Sequence, residues 1–102
     1  MKLVNTRSVR GFFKIVAQTP RSQAATMMLR PGQSTGGEDN LHPDADQWLY
    51  VVSGSGHAVV RGETLTLEAG ALLLIEAGET HEISNRTQDP LVTINIYAPP
   101  AY

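Results

Sequence analysis

Between Gly70 and Asn85 the chain gives its clearest folding instruction. Ala71-Leu72-Leu73-Leu74-Ile75 is a continuous apolar run, too short for an ordinary helix and flanked by glycines, so it suits a buried strand. Ala77-Gly78-Glu79 is a turn in which Gly78 tolerates positive φ. Thr80-His81-Glu82-Ile83-Ser84 then reads as a second strand. Side chains alternate along a strand, so His81 and Ile83 share a face. A histidine on the same face as an isoleucine sits near an apolar interior, where an imidazole can hold a metal ion.

The rest of the chain repeats this grammar. Strand-like runs cover residues 11–17, 23–29, 47–52, 57–61, 64–68 and 91–97, separated by turn residues. Residues 33–46 are rich in Gly, Asp and Pro, lack periodicity and read as a loop. No segment has the helical period with caps. Many short strands between turns predict an all-β barrel or sandwich. Periodicity alone leaves the jelly roll and the immunoglobulin-like sandwich both open.

The 102 residues suffice for one domain, taken as 1–102, with one modest core. A net charge of -2, with both signs mixed along the chain, argues against nucleic acid and anionic membranes as partners. Cysteine is absent, which removes disulfides, thiolate metal sites and a cysteine nucleophile. Charges interrupt the first ten residues before a signal-peptide core can form, and no apolar run approaches the ~20 residues of a membrane span. A cytoplasmic location is the expectation.

The spacing Gly70, five residues, Glu76-Ala77-Gly78, two residues, His81, three residues, Asn85 resembles the second signature of the cupin superfamily, with Glu76 where the family has proline. The family's first signature has a degraded counterpart upstream. Gly54 matches its closing glycine, Gln47 stands in place of its glutamate, and His42 matches its second histidine. Asn40 stands in place of its first histidine, and Ser34 in place of the opening glycine. The resemblance covers residues 28–98. It implies a cupin-type jelly-roll β-barrel (a double-stranded β-helix), with segment 1–27 packing on the barrel or on a dimer partner. It also implies a metal site at Asn40, His42, Gln47 and His81, holding a divalent transition metal such as Zn, Fe, Mn or Ni. Amides in place of a histidine and a glutamate leave the ligand set neutral, so the ion should bind more weakly and its water should be more acidic.

Each residue also has a plainer reading. His81 can be a hydrogen-bonded interior histidine and His42 an exposed loop residue. Gln47 can bond to backbone or ligand, and Asn40 can form a turn. Asp46 should point away from Gln47, while Asp39 and Asp44 are loop carboxylates. His57 reads as exposed in a hairpin, Trp48 and Tyr50 as packing, and Asn85 as a loop fastener. Either face of the last strand can line the cavity, so Asn95 and Tyr97 are undecided. Gln47, Leu49 and Val51 share one strand face and Trp48, Tyr50 and Val52 the other; both are apolar, which favours a homodimer over intrachain cover.

Two functions compete. One is a metal-binding barrel that holds a small organic molecule, a metal-dependent enzyme of dioxygenase- or isomerase-like chemistry. The other is a non-catalytic small-molecule-binding or sensing module that has lost its metal.

Overall fold

The structure is a computed structural model that describes residues 1–36 and 41–102. Asn40 and Asp39 lie outside the described residues. After a short 3₁₀ turn at Thr6–Ser8 come strands β1 (Phe13–Thr19), β2 (Ser22–Leu29), β3 (Asp46–Ser53) and β4 (Ser55–Val60). They are followed by β5 (Glu63–Glu68), β6 (Leu72–Ile75), β7 (His81–Ser84) and β8 (Leu91–Ala98). The strands form a five-stranded sheet in the order β1-β2-β8-β3-β6 and a three-stranded sheet in the order β5-β4-β7. Every pairing is antiparallel. The chain is therefore an all-β jelly roll, as expected.

Sequence alternation sets which face each strand buries. Along β3, Gln47, Leu49 and Val51 are buried while Trp48, Tyr50 and Val52 are exposed. Along β8, Leu91, Thr93, Asn95 and Tyr97 are all buried, so this face lines the interior. Between the sheets Leu29, Leu49, Val51, Ala58, Leu67, Ile75, Ile83 and Leu91 form a continuous core. Each Leu, Ile or Val among them contributes roughly 1.5–3 kcal/mol by leaving water.

Turns are specified as tightly as faces. Arg61 and Gly62, both at positive φ, join β4 to β5 in a two-residue hairpin whose twist matches that of the strands. Gly54, at φ 81°, turns the chain from β3 into β4. A side chain there would also collide with the carbonyl of Pro90. Gly56, expected in that turn, lies inside β4, where a Cβ would sit 2.6 Å from the carbonyl oxygen of Ser84. The two sheets close on each other over this bare backbone.

Further expectations change. β6, expected to be a buried strand, is the edge strand of its sheet, and Leu72 and Leu74 on it are exposed. β1 runs from Phe13 to Thr19 rather than over 11–17, and an irregularity between Ile15 and Ala17 breaks its alternation. His57 is half-buried, not exposed, and its Nδ1 is buried with no hydrogen-bond partner. The reason is position: β4 is the middle strand of its sheet, so His57 is flanked by Thr66 on one side and Ser84 on the other. Among the described residues no helix is long and apolar enough to cross a membrane.

Candidate metal centre and ligand pocket

The strand ends bring the candidate residues to one mouth of the barrel. Gln47 is the first inward residue of β3 and lies directly opposite Tyr97, the last inward residue of β8. His81 opens β7, and Phe13 opens β1. His42 arrives from the loop before β3, and hydrogen bonds to the β6–β7 turn fix that loop. The amide of Gly78 donates to the carbonyl of His42 at 2.8 Å, and the amide of Ala77 donates to Asp46 Oδ1 at 2.9 Å. Asp46 is thus spent on the turn and faces away from Gln47, as alternation predicts. Asp44 is exposed and does not line the pocket with the histidines.

The His42 and His81 rings lie 5.2 Å apart, centroid to centroid. They line one cavity of about 150 Å³ together with Gln47, Tyr97, Phe13 and Tyr102. His81 Nδ1 is 3.1 Å from the carbonyl of Glu79. A carbonyl only accepts, so Nδ1 carries the proton and Nε2 keeps its lone pair, the tautomer a metal ligand or proton acceptor requires. His42 Nε2 lies 3.4 Å from the Tyr102 hydroxyl. Gln47 is buried, and its Oε1 has no hydrogen-bond partner. An acceptor left unpaired in this way costs roughly 1–3 kcal/mol.

Burial lowers the pKa of His42 below its ordinary value, and the neighbouring His81 lowers it further. Burial lowers His81 as well, opposed by its bond to the Glu79 carbonyl and by the Glu79 charge. Burial pushes both phenols upward; at Tyr97 the adjacent Tyr102 adds to the rise. Near neutral pH the site therefore holds two neutral imidazoles and two protonated phenols.

The structure brings His42, Gln47 and His81 together and leaves Asn40 outside the described residues. Among the described residues no group of three His, Cys, Asp or Glu side chains surrounds one point. The donor set that lines the one pocket, two imidazoles and an amide whose oxygen lacks a partner, is of the kind a borderline divalent cation accepts. Asn85, the last position of the second signature, is buried as a fastener. Its amide donates to the carbonyls of Leu29 and Asp89, and its Oδ1 accepts from Thr87.

Tyr102 is the residue the sequence reading missed. Gln23, buried on β2, donates from Nε2 to the Tyr102 carbonyl at 2.8 Å and accepts at Oε1 from the amides of Ala101 and Tyr102. This clamp folds the segment after β8 back across the mouth. A buried amide in an apolar strand does signal a partner, but nothing near Gln23 in the sequence names it.

A jelly roll with imidazole, amide and phenol groups at one mouth belongs to the double-stranded β-helix class. Within that class, the cupin domain family matches residues 25–97, and the chain belongs to it. It is 36% identical over 78 residues to the tetracenomycin polyketide synthase protein TcmJ of Streptomyces glaucescens; the match covers 71% of this chain and 51% of that protein. The chain thus spans about half the length of this curated relative. Among solved structures, it superimposes on the BH2720 protein of Bacillus halodurans with a TM-score of 0.90 and 27% identity, covering 99% of this chain and 83% of the other. A conserved protein of Klebsiella pneumoniae with a double-stranded β-helix domain gives a TM-score of 0.87 at 22% identity, over 100% and 94% of the two chains.

Proposed function

We propose that this cupin holds a divalent transition metal on His42, Gln47 and His81 and binds a small organic molecule beside it, as a metal-dependent enzyme of dioxygenase- or isomerase-like type. The observation that carries this reading is the unpaired Gln47 Oε1 in the wall of the pocket that His42 and His81 line. A buried acceptor without a donor is what a cation site looks like before the cation arrives. The likeness to a polyketide synthase protein supports an organic ligand in the barrel.

A bound ion of this class supplies Lewis acidity to an oxygen placed beside it. The protein's own groups orient and exclude. The Glu79 carbonyl holds His81 in one tautomer, and Tyr97 and Phe13 line the pocket beside it.

The second reading is a non-catalytic binding module without metal. It is favoured by the absence of any carboxylate among the described lining residues. Elemental analysis of untagged protein separates the two. Near-stoichiometric transition metal, lost in a His42→Ala/His81→Ala variant that still folds, supports the metal reading. Protein that carries none and takes up none on titration supports the module.

We further propose that the working unit is a homodimer. The outer face of the larger sheet carries Trp48, Tyr50, Leu72 and Leu74 at 39–63% exposure, so the cover it calls for is not supplied within the chain.

A further inference from the structure

The walls of the pocket also constrain what enters it. The cavity of about 150 Å³ is the size of a single six-membered ring; an apolar cavity of about that volume accommodates benzene. Its walls are themselves rings. Phe13 and Tyr102 lie 4.9 Å apart, Tyr97 and Tyr102 5.3 Å, and His42 and Tyr97 5.1 Å, with interplanar angles of 55°, 78° and 78°. Tilted and edge-on packing of this kind is what aromatic groups offer to another flat ring.

Charge gives the second constraint. No Lys, Arg, Asp or Glu lines the cavity among the described residues. A phosphate or carboxylate would enter the pocket with no charged partner among the described lining residues, which is unfavourable. Polarity gives the third. Gln47 Oε1 lacks a donor and belongs to a residue that lines the pocket. A hydroxyl on the ring would donate to it.

We propose that the pocket binds an uncharged, single-ring phenol, or one such ring of a longer molecule, seated among Phe13, Tyr97 and Tyr102 with its hydroxyl donated to Gln47. This rests on reading the pocket as the ligand site; because it places the phenol hydroxyl on the Gln47 oxygen that the metal reading gives to the ion, it describes the metal-free protein.

Phenol itself is the probe, titrated by calorimetry or NMR into chelator-treated protein of verified metal content. Cyclohexanol, benzoate and glucose 6-phosphate serve as competitors. Phenol should bind one to one, about tenfold more tightly than cyclohexanol, and the two anions should not compete. Gln47→Met should weaken phenol about fivefold, the loss of one neutral hydrogen bond. Tyr102→Ala, at an exposed residue whose loss leaves the core intact, should weaken it further. Benzoate or glucose 6-phosphate binding as tightly as phenol would overturn the proposal. So would folded protein that ignores phenol, or phenol binding that is indifferent to both substitutions. Metal uptake with no phenol binding sinks this inference alone; phenol binding to protein that never takes metal sinks the metal reading alone.

Discussion

On the proposed metal reading, stability and binding pull in opposite directions at Gln47. Its unpaired oxygen makes the metal-free protein less stable than an apolar side chain would. Gln47→Leu should therefore raise the stability of the metal-free protein by about 1 kcal/mol in urea titrations and abolish metal uptake. Gln47→Glu should act the other way, tightening divalent metal by about tenfold or more, since a full negative charge faces the ion at short range. The two histidines set a pH dependence whose sign is fixed. Their folded pKa values lie below the ordinary 6.5, so beneath about pH 6.5 the unfolded chain takes up protons that the folded chain refuses. Stability is fully present above that pH and falls as the pH drops toward the lowered values. Denaturation midpoints measured from pH 7 to 5 should decline, and a His42→Gln/His81→Gln variant should decline less steeply.

At the level of elements, the strands were legible where alternation is strict. β3, β5 and β8 declare their faces in sequence because each has one side against the core. β1 was misplaced because its irregularity hides the period, and because the Thr19↔Ser22 pair extends the strand to a hairpin tip at Pro20. Of the site, His81 was legible through its shared face with Ile83 and through the second cupin signature, and His42 only through the resemblance to the first signature. Tyr97 was half legible: its strand was clear, its face was not. Tyr102 was not legible at all, since a tail beyond Pro99-Pro100 has no period and its anchor, Gln23, lies 79 positions away. The turns offer a clean test. Gly54 has both a positive φ and the Pro90 carbonyl against it, whereas Gly70, at φ 92°, faces open space. Gly70→Ala should cost about 1 kcal/mol of strain and Gly54→Ala at least about 2 kcal/mol, read from equilibrium unfolding.

Across the whole molecule, the two sheets differ in character. The outer face of the larger one carries two registered apolar rows, Ile94–Tyr50–Leu72 and Ile96–Trp48–Leu74. An antiparallel sheet that faces water on one side is ordinarily polar there. Beside these rows, a groove of about 550 Å³ between the Thr6–Gly11 segment and β2 and β8 is floored by Met28, Val92 and Ile94. A second copy packed on this face would cover both. Sedimentation or light scattering should give twice the monomer mass, and Trp48→Glu/Tyr50→Lys should return a folded monomer with unchanged metal content. A wild-type monomer at all accessible concentrations would refute the dimer.

The core and the mouth have few residues in common. Met27 and Ile83 belong to both, with Phe13 at the margin. One pole of the barrel can thus be left alone as ballast while the other is rewritten. If the proposed pocket is the ligand site, substitutions at His42, Gln47 and Tyr102 should change what the protein recognises at little risk to its folding, and new specificities should be reachable one side chain at a time.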